Sequence, residues 1–228
     1  MEGSQLAGTS DKTAVFFEDY AHDFDEIYRI QKMAGVSGWL NRRLRASMLL
    51  RYEKTFSALA PLSGKTILDV GCGSGRYVAK ALSMGAEKIV ALDLSPEMLT
   101  LTKRGVEGAG FSMERVELVQ GDFMTFDSPS PYDCGIVMGV MDYIDRPAEF
   151  LAILADRVRQ KAVLSFPVAE SVWAPQRKVR YMLRRCPLFF YSRPVLQRLL
   201  DASPFEGFAI ERIGRDYFVT AWHEDSRK

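Results

Sequence analysis

The stretch ILDVGCGSG at residues 67–75 places Gly71, Gly73 and Gly75 directly behind a short apolar run. Glycine loses more backbone freedom on folding than other residues, so this cluster indicates unusual dihedral angles or a ligand close to the backbone. A helical pattern follows the loop, and the N-terminus of a helix attracts negative charge. Asp69 stands just ahead of the glycines and adds an acidic group. The stretch is therefore the first candidate for a binding site.

The spacing of these glycines argues against two ligand classes that use glycine-rich loops. A P-loop requires GxxxxGK[ST], a pattern that occurs nowhere in the sequence. A dinucleotide-binding loop requires GxGxxG, and Arg76 stands where the third glycine would be. The remaining pattern, DxGxGxG, favours a small zwitterionic ligand over a pyrophosphate.

Composition and charge limit the class of protein further. The 228 residues are 47% apolar, which predicts a folded α/β domain with additional helices, and the 30 basic and 29 acidic side chains nearly cancel. We therefore expect no general attraction to nucleic acid. Three scattered cysteines and two isolated histidines predict no metal site and a reducing, cytoplasmic compartment. No apolar stretch is long enough to span a membrane, and the first residues lack a signal-peptide pattern.

The elements that position the glycine loop follow a regular alternation. Apolar runs rich in β-branched residues alternate with helical patterns, which is typical of a doubly wound parallel sheet. Ser95, Pro96 and Glu97 give the helix after the second run a capped start. The predicted strands are 66–70, 88–93, 116–120, 133–139 and 162–166, and the predicted helices between them are 75–84, 96–107 and 147–159.

Both ends of the chain depart from this alternation. An amphipathic helical stripe, a GVSG break at residues 35–38 and a second helix predict a helical N-terminal cap over residues 1–62. Residues 63–228 form the predicted main domain, in which 167–194 is an insertion rich in proline, arginine and aromatic residues. A last helix precedes two strands separated only by Gly214 and Arg215, which predicts an antiparallel hairpin. The complete prediction is a seven-stranded, mostly parallel α/β sheet.

Three motifs in order resemble those of the class I S-adenosylmethionine (SAM)-dependent methyltransferases. They are ILDVGCGSG at 67–75, VALDLS at 90–95 and VQGDF at 119–123, and the similarity covers residues 65–166. The terminal helix and hairpin suit the sixth and seventh strands of that family. The resemblance implies a Rossmann-like fold and SAM as the cofactor.

The resemblance also implies which residues contact the cofactor. Asp69 would counter the methionine ammonium, and Asp93 would accept hydrogen bonds from the ribose hydroxyls. Asp122 would accept one from the adenine amino group. The remaining implied contacts are the glycine loop with Cys72 at the methionine, Leu94 and Phe123 at the adenine, and Gly139 and Val140 beneath the sulfonium.

Several residues of this region also have a purely structural alternative. Asp93 could cap the following helix, although Ser95 is better placed to do so. Asp122 could be a turn residue, and Cys72 could be only a small residue in a tight loop. Arg76 could point to solvent or to the cofactor carboxylate.

The stretch after the fourth strand is the candidate for catalytic groups. Methyl transfer from a sulfonium is an in-line displacement that needs positioning, and it needs a base only when the acceptor is protonated. Many small-molecule members of the family carry Leu-His-His here, whereas this chain has Met141, Asp142 and Tyr143. The histidine base is absent, so Asp142 and Tyr143 are the predicted catalytic residues. Tyr143 could instead pack in the core.

The predicted acceptor-binding residues come from three separate segments. Residues 171–198 contain seven arginines and lysines, no acidic residue and several aromatic side chains. This composition predicts a small, acidic, partly apolar acceptor; a solvated basic helix, nucleic acid or an anionic membrane surface are the alternatives. The candidate residues are Tyr20, His22, Tyr143, Arg180, Tyr181 and Tyr191.

The predicted function is methyl transfer to an oxygen or nitrogen of such a metabolite by a monomer or homodimer. Oxygen is favoured, because the signature of amino-group methylation at the end of the fourth strand is absent. The alternatives are methylation of RNA or protein, or a non-catalytic SAM-binding partner protein.

Overall fold

The predicted alternation of strands and helices forms one mixed sheet of seven strands. The computed structural model describes residues 36–128, 130–169 and 188–224. The strands lie in the order β3-β2-β1-β4-β5-β7-β6. Their bounds are Thr66–Val70 (β1), Lys88–Asp93 (β2), Val116–Gln120 (β3), Tyr132–Val137 (β4), Val158–Pro167 (β5), Gly207–Ile213 (β6) and Asp216–Trp222 (β7). The predicted fold class is confirmed.

The strand directions create a cleft at one edge of the sheet. β1 to β5 are parallel, whereas β7 runs antiparallel to both β5 and β6. The strand order reverses at β1, which pairs with β2 on one side and β4 on the other. Ligands of open α/β sheets bind beyond the carboxyl ends of the strands at such a switch point. The glycine loop, which follows β1, lies at this point.

Helices cover both faces of the sheet and make it a buried layer. Side chains along β1 alternate between two cores, with Ile67 in one and Leu68 and Val70 in the other. The first core contains residues of α1, α2 and α3, and the second contains residues of α4 and α5. The helices are Val36–Leu59 (α1), Arg76–Ser83 (α2), Pro96–Gly108 (α3), Pro147–Arg157 (α4) and Arg193–Asp201 (α5).

Several predicted boundaries differ from the structure, most clearly at α1, at the end of β4 and where α4 meets β5. Helix α1 begins at Val36, so the chain is already helical within the predicted GVSG break. β4 ends at Val137, because the backbone turns at Gly139, where φ is 80°. α4 ends at Arg157 and β5 begins at Val158 without an intervening loop, so the predicted helix end at 159 is wrong. Tertiary pairing with Tyr132 of β4 draws Val158 into the sheet.

Helix α1 is held on the side of the sheet formed by β5, β7 and β6. Phe56 and Leu59 are buried in the same core as Val163 of β5 and Phe218 of β7. In the part of the chain that the structure describes, no helix has the length and apolar character required to cross a membrane. The division into a cap and a main domain stays a prediction, and residues 1–35 lie outside the described residues.

Candidate functional site

Asp69 is a buried carboxylic acid in the centre of the sheet. It lies on β1, its register neighbours are Ala91 and Ile136, and the residue is 2% exposed. Its Oδ2 atom has no hydrogen-bond partner within the described residues. Burial, together with the charge of Asp93, raises the pKa of Asp69 from 3.8 to about 8. An unsatisfied buried carboxyl group is unfavourable unless a cation or donor compensates it, so this atom fits a positively charged ligand.

Asp93, at the end of β2, binds backbone amides on both sides. Its Oδ2 accepts a hydrogen bond from the amide of Gly73 at 2.9 Å, and its Oδ1 accepts one from that of Ser95 at 3.0 Å. The cap of α3 is Ser95, whose Oγ accepts from the amide of Met98 at 3.2 Å. Burial raises the pKa of Asp93, and the amide hydrogen bonds oppose that shift. Asp93 therefore fixes the glycine loop, and the half-buried Leu94 follows it.

The three glycines of the loop all adopt left-handed backbone conformations. The φ angles of Gly71, Gly73 and Gly75 are 69°, 56° and 74°. A Cβ at Gly75 would lie 2.8 Å from the Cα of Thr102, and one at Gly71 would lie 2.5 Å from the Cγ2 of Val140. Glycine is therefore required at these positions both for the left-handed φ and for close packing against α3 and the loop after β4.

Thr102 of α3 holds the glycine loop in place through two side-chain contacts. Its hydroxyl donates to the carbonyl of Gly73 at 2.8 Å and lies 3.3 Å from the sulfur of Cys72. Cys72 is buried, and burial raises the pKa of its thiol above its ordinary value. This position agrees with the alternative that Cys72 is a small residue within a tight loop. A cofactor contact by its side chain stays a prediction.

Helix α2 begins directly after the loop and points its N-terminus towards the cleft. Gly75 is its N-cap residue, and no side chain caps this end. Arg76, the first residue of the helix, is exposed, and its guanidinium lies 5.3 Å from the ring centroid of Tyr52 on α1. A helix start of this kind favours an anionic group such as a carboxylate.

The loop after β3 is closed by its own residues and by an arginine from α4. Asp122 is half-buried, and its Oδ1 accepts from the amide of Met124 at 2.9 Å. Phe123 is 4% exposed and packs against Phe150 at a centroid distance of 4.6 Å. Arg157 lies over the ring of Phe123 and donates to its carbonyl at 3.0 Å. The Phe123 ring thus belongs mainly to the core, and its predicted adenine contact stays a prediction.

The loop after β4 forms the opposite wall of the cleft. Gly139 has a φ of 80°, and its amide donates to the hydroxyl of Ser165 at 2.8 Å. Val140 is half-buried, and its carbonyl accepts from the amide of Tyr143 at 2.9 Å. Because Val140 packs over Gly71, the loops after β1 and β4 are in direct contact.

Tyr191 lies close to Asp142 at this loop. Burial raises the pKa of Tyr191, and the nearby charge of Asp142 raises it further, so Tyr191 is a neutral phenol. Its hydroxyl donates to the carbonyl of Met141 at 3.3 Å, and its ring packs edge-on against Phe166. The amide of Phe189 donates to the carbonyl of Asp142 at 2.8 Å. The described end of the insertion is therefore bound to the loop that carries Asp142.

Four of the predicted acceptor-binding residues lie outside the described residues, namely Tyr20, His22, Arg180 and Tyr181. Tyr143 is half-buried, whereas Asp142 is 6% and Tyr191 4% exposed.

Sequence reasoning missed several residues that hold the loops of the site. Their side chains reach across elements distant in the sequence, so no local pattern reveals them; they are Arg51, Thr102, Arg157 and Ser165.

Comparison with known proteins places this site in a family. Residues 67–161 match the family model described as "Methyltransferase domain". A mitochondrial ubiquinone biosynthesis O-methyltransferase of Schizosaccharomyces pombe is 30% identical over 97 residues, which are 42% of this chain and 35% of that protein. A tRNA U34 carboxymethyltransferase of a Shewanella species is 29% identical over 111 residues, 48% of this chain and 32% of that protein. The chain thus spans about a third of the length of these curated relatives.

A solved structure matches over nearly the whole chain. It is the magnesium protoporphyrin IX methyltransferase ChlM from Synechocystis PCC 6803 with bound S-adenosylhomocysteine. The TM-score is 0.75 at 15% identity, over 95% of this chain and 100% of that chain, and this likeness shows the fold. The family model covers residues 67–161, and the solved structure shows the same fold for the chain around them. The predicted resemblance to the class I SAM-dependent methyltransferases is confirmed, as is SAM as the cofactor.

The packing of the glycine loop predicts that Gly75→Ala is destabilising. An alanine would have to adopt a φ of 74° and place its Cβ 2.8 Å from the backbone of Thr102. We expect the free energy of unfolding to fall by about 2–4 kcal/mol, measured by urea denaturation. Gly108→Ala on α3 is the matched control, because its Cβ would meet nothing within 4 Å. Equal losses in both variants would contradict the packing described here.

The burial of Asp69 predicts how the stability of the cofactor-free protein depends on pH. Between pH 3.8 and about 8 the folded state retains a proton on Asp69 that the unfolded state releases. The free energy of unfolding therefore falls as pH rises through this range. Asp69→Asn removes the titration and should raise the stability at pH 8 by about 1–4 kcal/mol. Urea denaturation from pH 5 to 9 measures this difference.

The exposed Asp127 provides the control for this experiment. Asp127→Asn should leave the pH profile of stability unchanged. A profile of Asp69→Asn that runs parallel to that of the wild type would show that Asp69 is not the responsible group.

Proposed function

We propose that this protein is an enzyme that transfers a methyl group from SAM to an oxygen or nitrogen of a small acceptor. The observation that carries the proposal is the buried carboxyl group of Asp69, whose Oδ2 has no partner within the described residues. It lies beside a glycine loop at the switch point of the sheet, where a cationic amino group would neutralise it. The methionine part of SAM supplies such an ammonium group.

The residues around Asp69 would hold the other parts of the cofactor. The glycine loop and the uncapped start of α2 would bind the methionine carboxylate. Asp93 would accept hydrogen bonds from the ribose hydroxyls with the lone pairs that its hydrogen bonds to backbone amides leave. Leu94 and Asp122 would contact the adenine, and Gly139 with Val140 would line the sulfonium side. These assignments follow the family resemblance and the positions of the loops.

Methyl transfer at this site requires correct positioning of the acceptor atom more than it requires acid or base groups. When bound, SAM supplies an electrophilic methyl group. Asp142 and Tyr143 belong to the loop after β4 and would face the acceptor, and Tyr143 is the more exposed of the two. Tyr143 would orient the acceptor atom. Asp142 would receive the proton of the acceptor when the acceptor is a hydroxyl. Tyr191 would hold the backbone of this loop through its hydrogen bond to the carbonyl of Met141.

The proposed acceptor is a small, acidic, partly apolar metabolite. The basic and aromatic composition of residues 171–198 supports this class. The near balance of 30 basic and 29 acidic residues argues against a nucleic-acid substrate. One relative is named for ubiquinone biosynthesis and another for tRNA, so the domain alone does not select the acceptor.

Cofactor binding is expected to depend on pH through Asp69. The cofactor ammonium favours the ionised carboxylate, so binding releases a proton wherever Asp69 is protonated beforehand. Because the pKa of Asp69 is about 8, the affinity for SAM should fall as pH decreases below that value. Calorimetric titration in buffers of different ionisation enthalpy measures the released protons. Asp69→Asn should bind SAM about 30-fold more weakly or worse and release fewer protons.

Asp127→Asn is again the control and should titrate like the wild type. Tight, pH-independent binding of SAM by Asp69→Asn would remove the main support for this cofactor site.

The transfer activity is tested with labelled SAM and a fractionated cell extract. Incubation with the wild-type protein should place the label in a small molecule, which mass spectrometry then identifies. Label in the RNA or protein fraction would replace the proposed acceptor class. Cofactor binding without any labelled product would indicate a non-catalytic SAM-binding protein. Asp69→Asn provides the background in each fraction.

A further inference from the structure

Arg51 of helix α1 reaches the carboxyl end of the sheet. Its Nη1 donates to Asp216 of β7 at 3.1 Å and to the hydroxyl of Ser165 on β5 at 3.4 Å. Ser165 is 1% exposed, and the side chains of Arg51 and Asp216 are 17% and 19% exposed. This is a partly buried, charge-assisted contact, which contributes more to stability than an exposed ion pair.

The same Ser165 hydroxyl holds one wall of the candidate cleft. It accepts the amide of Gly139 at 2.8 Å, directly after β4. Gly139 has a φ of 80°, and its neighbour Val140 packs over Gly71 of the glycine loop. A shift of the Gly139 amide would therefore move Val140 relative to the loop that follows β1. The chain Arg51–Ser165–Gly139 connects the N-terminal helix to this wall.

The next residue of α1 contacts the opposite wall. The ring centroid of Tyr52 lies 5.3 Å from the guanidinium of Arg76 and 5.4 Å from the ring centroid of Tyr77. Both of these residues are at the start of α2. Phe56, one turn further along α1, is 5.9 Å from Tyr77. Residues 51–56 of α1 thus contact residues that support both loops bordering the cleft.

We infer that Arg51 and Ser165 are positioning residues, through which helix α1 sets the Gly139–Val140 wall of the cofactor cleft. The inference rests on the proposed function for its effect on SAM, but its geometric part does not. Ser165 orients the Gly139 amide directly, and Arg51 orients the Ser165 hydroxyl so that its lone pair faces that amide. Neither side chain needs to touch the cofactor.

A nearby ion pair of α1 allows the positioning role of Arg51 to be distinguished from simple attachment of the helix to the sheet. Lys54 pairs with Glu211 of β6 at 2.5 Å, and both side chains are substantially exposed, 34% and 55%. Lys54 lies one turn after Arg51, and Glu211 lies on a different strand from Ser165. Lys54→Met therefore weakens the attachment of α1 without touching Gly139. It is the matched control for Arg51→Met.

The direct measurement is the exchange rate of the Gly139 amide proton, observed by NMR on protein labelled with ¹⁵N-glycine. Ser165→Ala and Arg51→Met should accelerate this exchange about tenfold, because each removes a support of that hydrogen bond. Both should also weaken SAM binding about 3- to 10-fold in calorimetry. Arg51→Lys retains a donor and should restore part of the loss. Lys54→Met should change neither quantity.

Unchanged Gly139 exchange in Ser165→Ala would overturn the inference, as would equal effects of Arg51→Met and Lys54→Met. If Arg51→Met fails to fold, Ser165→Ala still decides, because it leaves the Arg51–Asp216 pair in place. Failure of the wild type to bind SAM would refute the proposed function and leave the exchange result to test the geometry. Faster exchange with unaltered SAM affinity would refute the link to the cofactor cleft.

Discussion

The rest of the site is organised around a buried carboxyl group, one oxygen of which has no hydrogen-bond partner among the described residues. Asp69 lies on β1 between two parallel strands, and Asp93 at the adjacent strand end adds like charge. In a medium of low dielectric constant, two neighbouring acidic groups favour a cation strongly and disfavour an empty, ionised site. The fold therefore gives up stability at the position where a cationic ligand would restore it. This tension between stability and binding is typical of functional sites.

Around this carboxyl group, the cleft is fixed from behind by residues that do not face it. Thr102 holds the carbonyl of Gly73, and Ser165 holds the amide of Gly139. The left-handed glycines would otherwise be the freest part of the backbone, and freezing them before a ligand arrives reduces the entropy lost on binding. Asp93 also fixes this loop, because its carboxylate accepts a hydrogen bond from the amide of Gly73. The loops after β1 and β4 are thus ordered by their packing partners as well as by any ligand.

The loop after β4 depends on a segment that returns to the sheet after the insertion. Phe189 and Tyr191 bind the backbone of Asp142 and Met141, so this returning segment holds the loop with the candidate catalytic groups. One relative is named for ubiquinone biosynthesis and another for tRNA, so similar domains occur in proteins with different substrates. The shared domain therefore does not by itself select an acceptor.

The sequence by itself determined the class of fold and the bounds of three strands, and its motifs carried the resemblance that implies SAM as the cofactor. Apolar periodicity and glycine spacing are local properties of the chain, so 66–70, 88–93 and 116–120 were predicted to the residue. Only the tertiary structure decided which side chains support the loops. Thr102 and Gly73 are 29 positions apart, and Arg51 and Ser165 are 114 apart. Hydrogen bonds across such separations depend on how whole elements pack, and no local pattern encodes them.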